Sequence, residues 1–187
     1  SFVNQLIDTS LSASEIADDV FITSKIESDK KTILLKPSDL FLPDRINSKG
    51  WDLNDMNDIT EINASRNVFK NHKWSVGPVI VSEVIGIEKI IIKNPANHDD
   101  IVGSVIYADK KDAINAINYA QNWNNCSQSE RSYILDKAAN LYEENFGELF
   151  SVLTREAGKT TSDAIGELRE AVDFLRFYAN QAKDYKD

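Results

Sequence analysis

The pattern of apolar positions changes character twice along the 187 residues. Met56, Ile59, Ile62, Val68 and Phe69 recur at approximate three-to-four spacing, which predicts an amphipathic helix within 54–73, capped by Asn54 or Asp55. Val79-Ile80-Val81 and residues 89–93 are rich in β-branched side chains and predict strands. A turn cluster at 94–100 separates the second run from a third, 101–107, so an antiparallel hairpin is expected. From Asp109 onward the period is helical. Asp109 suits the cap of a helix over 110–123, with Ala113, Ile114, Ala116, Ile117 and Ala120 as its buried stripe. Ser127-Gln128-Ser129-Glu130 has the form of a capping box, in which the Ser hydroxyl accepts from the third helical N–H and Glu130 reaches back. The helix behind it is expected to bury Ile134, Leu135, Ala138 and Leu141. Asn145 breaks and recaps the chain, and Leu149, Val152 and Leu153 continue the apolar face to Gly158, a left-handed cap. Thr160 or Thr161 opens the last helix, with Asp163 near its positive end. Ala164, Ile165, Leu168, Ala171, Val172, Leu175, Tyr178 and Ala179 line one side of that helix at helical spacing.

Residues 1–53 look unlike the rest. Phe2, Val3, Leu6 and Ile7 fit one helical turn or a cover for a neighbouring domain, and Pro37, Pro43 and Gly50 exclude a continuous helix beyond them. Roughly 50 residues of weak periodicity are too many for a loop inside a compact domain. A linker that lies on another surface through Leu40, Phe41, Leu42 and Trp51 is therefore expected. The fold class is α+β and mainly helical: a long linker over 1–53, then 54–187 with one helix, a β hairpin and several amphipathic helices.

Composition narrows the function classes. Thirty acidic residues against 21 basic ones give a net charge of −9 with no Lys/Arg stripe, which argues against nucleic acid as a partner and against docking on an anionic membrane surface. The most apolar stretch, 76–92, is interrupted by Glu83, Glu88 and Lys89 and is not expected to span a bilayer. Cys126 is the sole cysteine, so no internal disulfide exists, and His72 and His98 stand too far apart in sequence to form a ligand pair. No metal site is expected. The start at Ser1, without Met or a charged-then-apolar leader, fits an excised piece, and the sequons at Asn63 and Asn125 read as chance matches.

Three candidate chemistries stand out. Gly158-Lys159-Thr160 invites comparison with a phosphate loop, but such a loop needs a second Gly at 153, where Leu stands, and a preceding strand rather than a helix. A helix cap and restart is the better reading. Cys126 precedes a helix start, yet it lies in a polar connection with no His nearby; a nucleophile needs such activation, and an incidental reduced thiol does not. Glu167, Glu170 and Asp173 are either acid/base groups or a solvated face paired with Arg169 and Arg176 at helical spacing, and spacing alone favours the pairs. Glu156 beside Arg155 reads in the same way.

Glu130-Arg131, Ile134-Leu135, Ala138-Ala139 and Leu141, followed by Arg155-Glu156-Ala157-Gly158-Lys159-Thr160 and by the run from Asp163 to Ala179, resemble the amino-terminal helices of the aldehyde dehydrogenase superfamily. The stretch Arg169–Ala179 is similar to the glutamate-semialdehyde (1-pyrroline-5-carboxylate) dehydrogenase branch. Asn94-Pro95-Ala96 with Asp100-Ile101-Val102-Gly103 resembles the strand pair that opens that domain. Ser1–Asp8 resembles the end of the proline dehydrogenase barrel in bifunctional proline utilization A proteins, and Leu42–Arg45, Asn47-Ser48, Gly50 and Asp52-Leu53 resemble their interdomain linker.

The resemblance implies a cytoplasmic parent, able to sit peripherally at a membrane. That parent oxidises proline with FAD and then glutamate semialdehyde with NAD. It places the nucleophilic Cys, the general-base Glu, the oxyanion Asn and both cofactor sites outside these residues. No catalytic or cofactor-binding residue and no bound cofactor are then expected here, and the chain alone should be inactive. The last helix borders the aldehyde tunnel in the superfamily, and Glu170 matches an acidic residue of the glutamate-semialdehyde branch. A carboxylate there would favour a substrate bearing an ammonium group over a simple alkyl aldehyde. The expected partners are the remainder of the parent polypeptide, its small-molecule substrate and, through open apolar faces, further copies of the chain. Two rivals remain: a piece of a monofunctional aldehyde dehydrogenase, and a helical interaction module without catalysis.

Overall fold

In the computed structural model, which describes residues 7–12, 35–120 and 126–183, most helices start where the sequence supplies an acceptor. Helix α1 (Met56–Asn67) is capped by Asp55, whose carboxylate accepts from the Asn57 N–H. Helix α2 (Lys110–Asn118) opens on a reciprocal box between Asp109 and Asp112, and α3 (Gln128–Glu144) on the expected one between Ser127 and Glu130. The Ser127 donors hold the Glu130 carboxyl below its ordinary value. Asn145 ends α3 and begins α4 (Phe146–Glu156) without a side-chain cap. Thr160 caps α5 (Thr161–Gln181) by accepting from the Asp163 N–H. Helix α1 stops short of the expected limit because the chain turns after Asn67, and α2 closes at Asn118. The far end of the stretch 110–123 lies outside the described residues.

The strands form one small sheet in the order β1-β3-β2. β2 (Lys89–Asn94) and β3 (Asn97–Ile106) make the antiparallel hairpin, with Ile90 opposite Val105, Ile92 opposite Gly103, and an irregularity between Ile92 and Asn94. The turn is tighter than the cluster 94–100 suggested, because β3 already begins at Asn97. β1 (Trp74–Val76) pairs parallel to β3, with Trp74 opposite Gly103. A Cβ at Gly103 would lie 2.1 Å from the Trp74 carbonyl oxygen, so this approach requires glycine. The strand expected at Val79–Val81 does not form. Residues 77–88 have no ladder partner, and Val79 is fully exposed.

The chain divides into two compact units, Ser1–Lys36 and Pro37–Asp187. In the first, Asp8 accepts from the N–H and hydroxyl of Ser10 at 3.0 and 2.6 Å, which holds its carboxyl below the ordinary value, and Ile7 is exposed. Phe2, Val3 and Leu6, read as one turn with Ile7, lie outside the described residues. In the second unit the core gathers on α4. Phe150 is fully buried, with its ring 5.2 Å from Trp51 and 5.7 Å from Phe146, and Ile62, Ala139, Ala164, Ile165, Leu168 and Val172 close around it. Trp51 thus belongs to this core. Leu40, Phe41 and Leu42 are exposed.

The α5 stripe is buried as expected at Ala164, Ile165, Leu168, Val172 and Ala179, but Tyr178 is exposed and Arg176 is buried instead. Two other stripes differ from expectation. On α2, Ile114 and Ile117 are exposed and the buried residue is Asp112; on α3, Ile134 and Leu141 are exposed while Ser132 and Ala139 are buried. No described element lies across those faces. Among the described residues, no helix is long and apolar enough to cross a membrane.

Candidate functional site

The joint between α4 and α5 is structural. Gly158 adopts φ +65°, the left-handed conformation expected of it, with the position of a Cβ 3.0 Å from Pro95 Cγ in the hairpin turn. Lys159 is ion-paired with Glu167, whose carboxylate raises the lysine pKa, so its ammonium is committed within the same joint. Arg155 is not the solvated residue that its place beside Glu156 suggested. Its guanidinium donates to both oxygens of Asp100 at 3.1 and 2.8 Å, and to the carbonyls of Phe69 and His72 at 3.0 and 2.8 Å. The Arg155 bonds, then that of Asn94, hold the Asp100 carboxyl below its ordinary value. One side chain therefore ties the end of α4 to the hairpin and to the segment after α1.

Helix α5 presents two different sides. Glu170 is exposed, and Phe174, Phe177 and Tyr178 follow it at spacings of four, seven and eight on the outer face. Phe174 and Tyr178 stack at 6.3 Å, and Phe177 meets Tyr178 edge-on at 5.3 Å. This is a carboxylate on an open aromatic face. The acid–base pairs expected within α5 do not form. Asp173 accepts instead from Arg45 Nη1 at 3.0 Å and from the N–H and hydroxyl of Ser48 at 2.9 and 2.7 Å. Arg169 Nε donates to the Ser48 hydroxyl at 3.3 Å. Arg176 donates to Glu143 at 3.2 and 2.6 Å, to Asn140 at 3.1 Å and to the Asn47 carbonyl at 3.3 Å. Residues 45–51 thus form a strap along one flank of α5. Its far end is fixed by Trp51 and by Lys49, whose N–H donates to Glu143 and whose ammonium pairs with Glu61 at 2.9 Å. The roles of Arg45, Asn47 and Ser48 were missed in the sequence because their partners on α5 lie 121 to 129 positions away.

Cys126 is a half-buried free thiol whose backbone carbonyl accepts from Arg131 Nε at 2.9 Å. The described residues show no cluster of three or more His, Cys, Asp or Glu able to hold a metal ion. They also do not fit a dinucleotide. Gly158 packs on Pro95 after a helix, Lys159 is paired with Glu167, and the strand-to-helix glycine loop that cradles a pyrophosphate is absent among them.

Residues 83–187 match the aldehyde dehydrogenase family. The chain belongs to that family. It is 37% identical to the bifunctional protein PutA of Klebsiella aerogenes, across 98% of this chain and 15% of that protein. Among solved structures, proline utilization A from Bdellovibrio bacteriovorus, inactivated by N-propargylglycine, has the same fold. It covers 100% of the chain and 20% of its own length, with a TM-score of 0.70 at 23% identity. A 1-pyrroline-5-carboxylate dehydrogenase from Thermus with bound NAD aligns with a TM-score of 0.67 and 25% identity, over 75% of this chain and 28% of that one. The chain therefore spans about 15% of the length of the PutA relative from Klebsiella. As an aldehyde dehydrogenase segment it carries the hairpin and helices α2 to α5 within the matched residues, with Glu170 on the outermost side of α5.

Proposed function

We propose that these residues form part of a bifunctional enzyme of proline catabolism. In this reading an interdomain linker runs into the amino-terminal helices of a glutamate-semialdehyde dehydrogenase domain. The parent oxidises proline to 1-pyrroline-5-carboxylate with FAD, and oxidises glutamate semialdehyde, formed by ring opening, to glutamate with NAD. The observation that carries this reading is the reach of the similarity. Likeness to the Klebsiella PutA extends over 98% of the chain, whereas the Thermus dehydrogenase aligns with 75% of it.

Within that enzyme the chain supplies scaffold and one substrate-facing carboxylate. Glu170 stands on the side of α5 opposite its buried stripe, makes no ion pair with any described residue, and shares the exposed face with Phe174 and Phe177. A carboxylate against an apolar wall favours the ammonium group of glutamate semialdehyde over an uncharged aldehyde. The open apolar residues of α2 and α3 support association of the isolated chain with itself, because contiguous exposed apolar surface seeks cover.

The test compares the complete polypeptide with the 187-residue chain. The complete polypeptide is expected to reduce NAD with glutamate semialdehyde. Glu170→Gln should lower its preference for that substrate over pentanal about tenfold, equivalent to about 1.4 kcal/mol. The 187-residue chain should form no NADH and should sediment as concentration-dependent oligomers. Turnover by the short chain, or an unchanged preference in Glu170→Gln, would overturn the assignment it addresses.

A further inference from the structure

The strap grips α5 at three successive positions of one flank. Arg169, Asp173 and Arg176 are spaced four and three apart, and each bonds to a residue within 45–48. Glu170 lies between the first two of these positions. At 3.6 residues per turn, Asp173 stands about 60° around the helix from Glu170, so the gripped flank adjoins the outer face. We propose that the strap is a positioning device for Glu170, with Asp173 and Arg45 as positioning residues that set the rotation and height of the substrate-facing turn. This inference rests on the reading of Glu170 as a substrate contact.

The chemistry of the grip carries the argument. Asn47 and Ser48 are buried at 8% and 4% exposure, and Arg176 at 9%. Burying such groups costs desolvation that well-packed apolar side chains avoid, so a polar anchor is a poor way to add stability alone. It does offer direction. The Asp173 carboxylate receives three donors from two residues, and the Arg176 fork meets both oxygens of Glu143, which also accepts from the Lys49 N–H. Apolar packing tolerates a small slide or roll of a helix, whereas a set of aimed hydrogen bonds does not. The outer face has no such restraint of its own: Phe174 and Tyr178 are both exposed. The rotational setting of Glu170 is therefore fixed from the flank.

The experiment uses the complete polypeptide and reads the ratio of kcat/KM for glutamate semialdehyde to that for pentanal. A general loosening of the fold lowers both terms, while displacement of Glu170 lowers only the first. Asp173→Asn keeps the side-chain shape and removes the charge. Arg45→Met, which changes the strap and leaves α5 itself intact, serves if the first variant fails to fold. Each should lower the ratio about five- to tenfold through KM, since a misplaced contact group costs binding that is specific to its ligand. Arg45→Lys, which retains a cation, should recover most of the ratio. In a Glu170→Gln background neither strap variant should lower the ratio further, because the group they position is already gone. Three results overturn the proposal. A wild-type ratio in both strap variants, with Glu170→Gln impaired, sinks the strap and leaves the Glu170 reading standing. An equal loss in both backgrounds shows that the strap acts elsewhere. No effect of Glu170→Gln itself removes the reading and the strap's role together.

Discussion

Replacing Arg155 with Met keeps an unbranched stem of similar length and removes the guanidinium that joins α4, the hairpin and the segment after α1. Four donor contacts disappear: two to Asp100 and one each to the carbonyls of Phe69 and His72. Removing one partner of a buried ion pair costs about 3–5 kcal/mol, because the other charge is left without compensation. The Asp100 side chain is 27% exposed against 11% for Arg155, so the freed carboxylate recovers part of its hydration. A loss of about 2–3 kcal/mol is the resulting expectation, with little added for a cavity because Met fills most of the space. Urea unfolding of the 187-residue chain measures it, provided circular dichroism and tryptophan fluorescence give coincident transitions. Trp74 makes the fluorescence informative, since its ring lies 5.3 Å from the Arg155 guanidinium carbon. With an m-value of about 2 kcal/mol per molar urea, the midpoint should fall by about 1–1.5 M. Arg155→Lys keeps a point charge but not the fork, and should lie between the two. The sign of the pH dependence is also fixed. Asp100 has a depressed folded pKa, so its contribution is fully present above the ordinary aspartate value and is lost as pH falls through the lower folded one. The gap between wild type and Arg155→Met must therefore narrow in acid. A midpoint shift below about 0.3 M, or a gap that widens on acidification, refutes the hub.

Two further changes probe the frame around the site. Gly158→Ala forces a side chain into φ +65° with Pro95 close by, and should cost about 1–2 kcal/mol by the same urea measurement; an unchanged midpoint would mean the joint relaxes freely. Asp112 accepts from the N–H groups of Ile85, Gly86 and Asp109 at 2.7, 2.8 and 2.9 Å, and these donors, Ile85 first, hold its carboxyl below the ordinary value. Asp112→Asn should speed amide exchange at Ile85 and Gly86 about tenfold while leaving the hairpin amides protected; equal acceleration in both places would contradict a local tie. By the same sign, that protection in wild type is present above the ordinary aspartate pKa and lost as pH falls through the depressed one.

What could be read in the sequence was what is local. Asp55, Asp109, Ser127 and Thr160 each cap a helix through donors two or three residues ahead, so the motif contains both partners. Gly158 was legible for a similar reason, as the one residue of its joint that adopts positive φ without strain. Glu170 was singled out only by family resemblance, since Glu167, Glu170 and Asp173 interleaved with Arg169 and Arg176 read equally well as a solvated, ion-paired face. The misreadings share one cause. A β-branched run such as Val79–Val81 becomes a strand only if a ladder partner arrives, and here β3 pairs with Trp74–Val76 instead. Asp173 and Arg176 have good partners at helical spacing and Arg155 has an adjacent Glu156, but all three prefer partners 33 to 129 positions away that also satisfy buried carbonyls and hydroxyls. Periodicity does not encode that preference.

The same distinction explains where burial and pattern part company. Apolar stripes on α5 and α4 are filled because Trp51, Ile62 and Ala139 lie within the chain and reach them. The stripes of α2 and α3 follow the same spacing rule, yet Ile114, Ile117, Ile134 and Leu141 stay open. A helix pays for such a stripe only when something covers it, since isolated amphipathic helices of this length are marginal in water. The covering surface is therefore part of what these faces are written for. Residues 37–187 carry a closed core around Phe150 and open faces away from it, and Glu170 lies on an open one. In the proposed role, a carboxylate on that side of α5 would acquire its selectivity from whatever completes the wall opposite it. The flank proposed to position it, by contrast, makes its bonds within the chain, which is why the strap and its effect on Glu170 can be tested separately.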